Sequence, residues 1–515
     1  MKDLKHLYLE ITKDRGEPLD VWEVAALLEV YGIRDVDVQK EYGLKNVFEL
    51  AEVLYRYKDI KTYPQKRIIS QEEIPPFKER VQKNFLKGLA FALPMLVQIA
   101  ATIIFGFALW SNIQIDVNEA TIIAFGTFLA MIVTGGPAQI LGRKGLYYLK
   151  MNEYILAAKT MRLLYQISVI TVFVLSLLFF VFNLVFRVFD DYLFYIFIST
   201  FILLSVLFLN AAIYYVFEEY EKVLYFFIFG FVLVVFFRFL VGVPFPDAQF
   251  LALLVLDGVM GWFAFRKLSE LRSRVESEGE ILPRASMFVY TLMPFFIYGL
   301  FYFVFLVLDK LIEWNANGIN MGFFIWFDVK YEIGTDLALI VLILLMGFVE
   351  VVVYELLYGM NERVFRYDLH EYGRFNEDFV KFYKKVNKYF TIYAAVTIIM
   401  VYFMIKILPI DEQRLPFSAE AEFVYFVAAI AYAFLTNALM NVLILFSFSR
   451  QYVALKAIVI AVLVDFVVGI VLSKMAVKYF AVFGLLAGSV VFWFVTYRFV
   501  KKMFEKLDYY YYSAY

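Results

Sequence analysis

The chain has 515 residues, of which 63% are hydrophobic and 20% aromatic, and its mean hydropathy is +0.72. Soluble domains are about 45–50% apolar, so a water-soluble globule could not bury this much apolar surface. The 48 Lys and Arg nearly balance the 49 Asp and Glu, so no basic field attracts nucleic acid, and cysteine is absent, which excludes disulfides and cysteine-ligated metals.

The first 80 residues differ in kind from the rest of the chain. The opening MKDLKHLYLE is charged throughout and lacks the apolar core of a signal peptide, so we expect a cytoplasmic amino terminus. Apolar residues recur at helical spacing from Leu19 to Tyr57, with Gly32 and Gly43 as predicted helix stops. Paired prolines in IPPF, residues 74–77, mark a linker, so the segment predicts a small soluble helical domain.

Apolar runs of about 18 residues or more follow, each long enough to cross a bilayer as a helix. They lie near residues 85–110, 120–141, 162–187, 192–216, 222–241, 248–265, 287–311, 332–357, 389–408, 423–446, 452–472 and 477–499. The sequence therefore predicts an all-α polytopic membrane protein with about twelve transmembrane helices in two six-helix lobes. We expect the helical domain over 1–80, the first lobe over 81–275 and the second over 276–515.

Lys and Arg are concentrated before span one, after spans two, six and eight, and at the end of the chain. Because these residues accumulate in cytoplasmic loops, their distribution predicts a multi-pass protein with both termini in the cytoplasm. We expect it in the cytoplasmic membrane, in contact with membrane lipids.

The two predicted lobes share a sequence feature. The stretches 89–98 and 289–298 place Pro94 and Pro294 at the same position of spans one and seven. Matching halves of this kind are common in transporters, whose binding sites lie between the halves.

Polar side chains at membrane depth are the candidate site residues, because they are costly in lipid unless they face a cavity or a partner. The candidates for a substrate or ion pathway are Asp257, Asp465, Asp309, Lys310, Asn437, Asn441, Arg238, Glu350 and Gln98. They predict a hydrated cavity that binds a polar substrate or a coupling ion, either Na⁺ or H⁺. The alternative is that they bond neighbouring helices together, which is the preferred interpretation of the two asparagines.

The segment LDKLIEW, residues 308–314, places two opposite charges side by side at the end of span seven. One interpretation is an anchor, in which Asp309 and Lys310 reach the headgroups and Trp314 lies at the membrane interface. The other is an ion pair that faces a central cleft and gates its outer mouth.

Three further features bear on the chemistry. TGGP, residues 134–137, is predicted to break or kink span two, because Gly-Gly-Pro does not continue a regular helix. The charged, aromatic stretch 362–385 is predicted to extend a helix into water or to lie on the membrane surface. His6 and His370 fall in separate segments, so we expect no histidine metal centre and no resident cofactor.

Four stretches carry a resemblance to known exporters. They are TGGPAQILGRKGLYYLKMNEYILAA after span two, LDKLIEW, LILFSFSRQYVALKA between spans ten and eleven, and YFAVFGLLAGSVV with the closing LDYYYY. On these the chain resembles the multidrug, oligosaccharidyl-lipid and polysaccharide (MOP) exporter superfamily and, within it, the Pel exopolysaccharide inner-membrane exporter family (PelG-like). The resemblance spans roughly residues 85–512 by the order and spacing of spans and implies two lobes around a central cleft.

The resemblance implies a secondary transporter that moves a polysaccharide or lipid-linked saccharide outward by rocking its lobes, and not an enzyme. A cytoplasmic glycosyltransferase is a candidate partner. The phosphate-loop pattern GxxxxGK[ST] does not occur, so we expect no direct use of ATP. Two alternatives stay open: a membrane glycosyltransferase or polysaccharide polymerase, and a non-transporting scaffold that recruits a partner through residues 1–80.

Overall fold

The structure, a computed structural model, describes residues 4–12, 18, 20–57, 76–113, 115–273, 285–316, 326–364, 372–407 and 417–512. Within these ranges the chain is helical, and its only strand-like pairing is an isolated bridge between Phe107 and Asn112. The chain divides into two compact units, Met1–Phe77 and Lys78–Tyr515.

The first unit is a small cluster of short helices. Its described helices are α1 (Leu4–Thr12), α2 (Val21–Val30), α3 (Asp35–Glu41) and α4 (Val47–Tyr55). Asp20 and Asn46 cap α2 and α4, because each side chain accepts a hydrogen bond from a backbone N–H of the first turn. Gly32 and Gly43 follow α2 and α3 with φ angles of 77° and 71°, which confirms them as helix stops.

The described part of the second unit contains twelve helices long and apolar enough to cross a membrane. They are α5 (Phe77–Phe105), α6 (Val117–Lys150), α7 (Tyr154–Phe186), α8 (Asp191–Val216), α9 (Tyr220–Val235), α10 (Asp247–Ser273), α11 (Ala285–Ala316), α12 (Val329–Val364), α13 (Tyr372–Ile407), α14 (Ala419–Ser447), α15 (Gln451–Met475) and α16 (Val482–Phe504). A π-helical turn, Phe236–Val241, extends α9, and a short helix α17 (Leu507–Tyr512) follows α16. The predicted all-α polytopic architecture is confirmed.

Two apolar cores divide these helices into lobes. One core joins residues of α6 to α10, and the other joins residues of α11 to α16. We call α5–α10 the N-lobe and α11–α16 the C-lobe. Ile99 of α5 belongs to the second core, so this helix also contacts the C-lobe.

Of the two alternatives predicted for residues 134–137, a break and a tolerated kink, the break is wrong. Helix α6 runs from Val117 to Lys150 with Pro137 inside it. The physical reason is close packing, because a Cβ added at Gly135 would lie 2.6 Å from the Gly299 carbonyl oxygen of α11. The glycines therefore let two helices approach instead of ending one of them.

The stretch 362–385 is described only in part. Its residues from Tyr372 onward form the first turns of α13, continuous with the ninth span, as predicted for a helix extending beyond the membrane. His370 lies outside the described residues.

Candidate functional site

The lobes contact each other along two helix pairs, the first being α6 with α11. Their backbones are closest at Gly135 and Gly299. Nearer the start of α6, the ring of Phe128 stacks on Trp314 of α11 with centroids 5.4 Å apart. We call this contact the α6–α11 seam.

The second pair is α5 with α12, and its contacts are charged. Arg80 Nε and Nη2 donate to the two carboxylate oxygens of Glu355 at 2.9 and 3.0 Å. About two helical turns further on, Lys87 Nζ lies 3.2 Å from Glu350. A Cβ added at Gly88 would lie 2.7 Å from a backbone oxygen of α12, so the helices are in close contact. This α5–α12 seam lies at the start of α5, which we call the basic end because Lys78, Arg80 and Lys83 lie there.

A group of buried acids lies in the C-lobe beside the α6–α11 seam. This carboxylate cluster consists of Asp309 and Glu313 on α11, Glu332 and Asp336 on α12, and Asp465 on α15, together with the base Lys310. Asp309, Glu313 and Asp465 have no solvent-exposed surface, whereas the side chain of Asp336 is 50% exposed. The cluster therefore reaches from the dry interior of the lobe to its surface.

Lys310 is the buried base of the cluster. Its Nζ donates to Glu332 and, at 3.1 Å, to Asp336. The same ammonium lies 5.9 Å from the ring centroid of Phe128, which belongs to the N-lobe. Because a buried charge is stable only when it is paired, the two acids of α12 hold Lys310 at the boundary between the lobes.

The remaining acids of the cluster have few partners. Tyr331 donates its hydroxyl to Asp309 Oδ2 at 2.7 Å, and Lys478 Nζ lies 3.6 Å from Glu313 Oε1. Asp309 Oδ1 and both carboxylate oxygens of Asp465 are buried without a hydrogen-bond partner. A buried carboxylate of this kind is neutralised by a proton or a bound cation. In the described part of the chain, no group of three or more His, Cys, Asp or Glu side chains is arranged to hold a metal ion.

Asp257 is the corresponding buried acid of the N-lobe. Its side chain is 7% exposed, and neither carboxylate oxygen has a hydrogen-bond partner. Asn210 of α8 donates to the backbone carbonyl of Asp257 at 3.2 Å. Asp257 and Asp465 are buried in different lobes, and their place in a substrate or ion pathway stays a prediction.

The two predicted asparagines of α14 bond helices together. Asn441 accepts from the Tyr383 hydroxyl of α13 at 2.7 Å and donates to Thr496 of α16 at 3.4 Å. Asn437 donates to Asn387 of α13 at 3.1 Å. These contacts agree with the interpretation that the asparagines hold the bundle together.

The three other candidates have partners outside the carboxylate cluster. Gln98 accepts from the backbone N–H of Leu109 at 3.2 Å and so fixes the loop between α5 and α6. The Arg238 guanidinium lies 5.0 Å from the ring centroid of Phe245, near the end of the π-helical turn. Glu350 belongs to the α5–α12 seam through Lys87.

Neither interpretation of LDKLIEW agrees with the structure. Trp314 is fully buried against Phe128, so it does not anchor the helix at the membrane interface. Asp309 and Lys310 do not form the predicted ion pair, because Asp309 bonds to Tyr331 and Lys310 bonds to Glu332. Asp309 is buried within the C-lobe, and Lys310 lies at its boundary with the N-lobe.

Sequence reasoning missed the partners of this segment. Tyr331, Glu332 and Asp336 lie at the start of the eighth span, in the stretch KYEIGTD. Its two acids are four residues apart and share one helix face, which could have indicated a binding partner for a buried base.

The ion pairs of the α5–α12 seam were also missed. Arg80 and Lys87 lie near the start of span one and pair with acids of α12. Their partners are more than 250 residues away, so no local pattern points to them.

Solved structures of other proteins share this arrangement of helices. The fold is that of the MATE transporters of the MOP superfamily. The Vibrio cholerae MATE transporter VcmN (D35N mutant) aligns at a TM-score of 0.60 and 10% identity, over 84% of this chain and 98% of its own. The eukaryotic MATE transporter AtDTX14 aligns at a TM-score of 0.54 and 12% identity, over 84% of this chain and 98% of its own. A MOP superfamily transporter from Pyrococcus furiosus gives the same TM-score and identity, over 84% of this chain and 97% of its own.

No protein-family model matches the chain, and no curated protein matches its sequence. At 10–12% identity, the similarity to the solved structures establishes the fold alone. The superfamily fold implied by the sequence resemblance is therefore confirmed, and the closer resemblance to the Pel exporters remains a proposal.

Proposed function

We propose that the chain is a secondary transporter, a flippase or exporter, that moves a polysaccharide or lipid-linked saccharide across the cytoplasmic membrane by alternating access. The observation that carries this proposal is the two-lobe fold of MATE transporters, with the lobes joined along two helix pairs. One of these seams is held by ion pairs, Arg80–Glu355 and Lys87–Glu350, which the rocking of two rigid lobes would break and re-form.

The carboxylate cluster supports coupling to an ion gradient, with H⁺ or Na⁺ as the ion. Asp309 and Asp465 carry buried oxygens without partners, so they gain most from a proton or a cation. A change of charge there alters the field at Lys310, whose ammonium faces Phe128 of the other lobe. Ion binding in the C-lobe thereby acts on the contact between the lobes.

The saccharide cargo rests on the sequence resemblance to the Pel exporters. Proteins with this fold can differ in function. For the structurally similar transporter from Pyrococcus furiosus, the reverse polarity of the binding pocket is described as suggesting a different function. The choice of cargo therefore depends on particular side chains of this chain.

Transport by purified protein in lipid vesicles tests the proposal. We expect flux of a fluorescent lipid-linked saccharide that falls when the ion gradient is collapsed, and undiminished flux would exclude coupling. Asp465→Asn and Asp309→Asn should remove the dependence on the gradient. Glu119→Gln, which alters an acid bonded to Tyr192 outside the cluster, is the matched control. Failure to move any saccharide would exclude the transport function itself.

We also propose that the termini are cytoplasmic and that the first unit recruits a partner, with a glycosyltransferase as the candidate. The unit exposes 71% of Trp22 and 48% of Phe48, whose ring centroids are 5.5 Å apart. Exposed aromatic pairs of this kind are enriched at protein interfaces. Deletion of residues 1–75, which leaves α5 and Arg80 in place, distinguishes a transporter from a scaffold: a transporter retains flux in vesicles, whereas a pure scaffold loses all activity.

A further inference from the structure

Arg143 lies at the contact between the lobes, on α6 two turns after Gly135. Its guanidinium carbon is 5.4 Å from the ring centroid of Phe295 on α11, across the α6–α11 seam. Phe295 is buried and packs on Phe446 of α14 with centroids 4.9 Å apart. The ring is therefore fixed, and it holds the half-buried guanidinium between the two lobes.

This arginine differs from the other bases at the contact between the lobes. Arg80, Lys87 and Lys310 each lie within 2.9–3.2 Å of a carboxylate oxygen. Among the described residues, no carboxylate lies within ion-pair distance of Arg143, and its guanidinium donates no hydrogen bond to the chain. Carboxylates of the chain therefore neutralise Arg80, Lys87 and Lys310, whereas Arg143 has no such counter-charge among the described residues.

Burial makes an unpaired charge costly, so a half-buried arginine without a carboxylate partner needs a counter-charge. Its guanidinium has five N–H donors in a planar fork, which matches a phosphate group with paired hydrogen bonds.

We propose that Arg143 binds the phosphate group of a lipid-linked saccharide and thereby selects cargo of this class. The inference rests on the proposed transport function and specifies its substrate. A polysaccharide without a phosphate would not supply the counter-charge that Arg143 lacks.

The neighbouring Lys144 provides a matched control. Its ammonium lies 5.2 and 5.5 Å from the ring centroids of Tyr147 and Tyr148 on its own helix. Substitution of either residue by glutamine removes one positive charge at nearly the same depth. Only the substitution of Arg143 removes the guanidinium that contacts the opposite lobe.

Binding to the full-length protein in neutral detergent tests the proposal, with decaprenyl pyrophosphate as the probe and native mass spectrometry as the readout. We expect Arg143→Gln to weaken binding about tenfold or more, and Lys144→Gln to change it less than about twofold. Decaprenol, inorganic pyrophosphate and phosphatidylglycerol should each bind more weakly than the probe.

Four results would overturn the proposal. They are unchanged binding by Arg143→Gln, equal binding of decaprenol, equal binding of inorganic pyrophosphate, and equal binding of phosphatidylglycerol, which would indicate a bilayer headgroup site. If Arg143→Gln does not fold, Arg143→Lys retains the charge but loses the fork, and it should bind with intermediate affinity.

Binding and transport are separable outcomes. Unaltered phosphate affinity in Arg143→Gln, alongside saccharide flux by the native protein, would reject this site and leave the transport function intact. Binding that depends on Arg143 in a protein without saccharide flux would reject the transport function and leave the phosphate site.

Discussion

The Tyr383 hydroxyl donates to Asn441 Oδ1 at 2.7 Å, and in the other lobe Tyr165 makes the same bond to Asn210 at 2.8 Å. Each bond joins the third helix of its lobe to the fourth. Each asparagine also donates to the sixth helix, at a carbonyl oxygen of α10 or a hydroxyl of α16. The same polar contact recurs at matching places, which supports the interpretation of the lobes as a repeat.

Removal of one partner from this contact should destabilise the C-lobe. Tyr383→Phe leaves the Asn441 amide with a buried acceptor that has lost its donor, at a cost of about 1 kcal/mol in the free energy of unfolding. A double-mutant cycle with Asn441→Leu, measured by unfolding in detergent, should give a coupling of about 0.6–1.7 kcal/mol. Tyr389→Phe, on an exposed face of α13, is the control. A coupling of zero would contradict the prediction.

Lys310 should be required for the C-lobe to fold. Lys310→Met leaves Glu332 as a buried acid without its cation, and breaking a buried ion pair costs about 3–5 kcal/mol. The double variant Lys310→Met/Glu332→Gln should recover most of this loss, because the uncompensated charge is also removed. Thermal unfolding of the purified variants measures both effects. A single variant as stable as the native protein would show that the pair does not support the fold.

The number and order of the membrane helices could be predicted because a span needs only length and apolar composition. The limits of this reasoning appear at Gly135 and Pro137. A local rule predicts a break there, but the hydrogen bonding of a long helix and its close packing on α11 outweigh the local preference.

The partners of the buried charges could not be predicted. Asp309 and Lys310 are adjacent in sequence, which suggested a pair, but consecutive helix positions point about 100° apart. Asp309 therefore meets Tyr331, and Lys310 meets Glu332. The choice depends on how α11 and α12 are rotated against each other, and hydropathy contains no information about this rotation.

Glu219 should make stability depend on pH in the acidic range. Burial opposes its ionisation, but hydrogen bonds from Lys222, at 2.8 Å, and from Lys267 outweigh this effect and hold the pKa of Glu219 below its ordinary value. Because the pKa is lower in the folded state than in the unfolded state, the ionised carboxylate stabilises the folded protein at pH values above the unfolded-state pKa. This stabilisation is lost as the pH falls through the folded-state pKa.

Glu219→Gln should therefore lower the unfolding temperature at pH 7, by the equivalent of about 1 kcal/mol or less, and the difference should shrink as the pH approaches about 4. Glu221→Gln, which alters an exposed acid two residues away, should show no such convergence. A constant difference between native and Glu219→Gln across this range would contradict the assignment.

The ion pair between Arg80 and Glu355 should control opening of the lobes at the basic end. The pair is largely buried, with 14% of each side chain exposed, and its two hydrogen bonds join α5 directly to α12. Arg80→Glu places two acids together and should drive the lobes apart there. The swapped variant Arg80→Glu/Glu355→Arg should restore the contact, since it keeps opposite charges at the same two positions.

Distance measurement between spin labels checks this prediction, because the chain has no native cysteine to interfere. Labels at Lys83→Cys and Tyr354→Cys, both exposed positions, report on the two sides of the seam. We expect a single short distance in the native background, a longer or broader distribution in Arg80→Glu, and a return towards the native distribution in the swapped variant. Lys78→Glu, an exposed change of equal charge two residues earlier, should leave the distribution unchanged. If Arg80→Glu gives the native distribution, this ion pair does not hold the lobes together, and the Lys87–Glu350 pair and the close packing at Gly88 close this end without it.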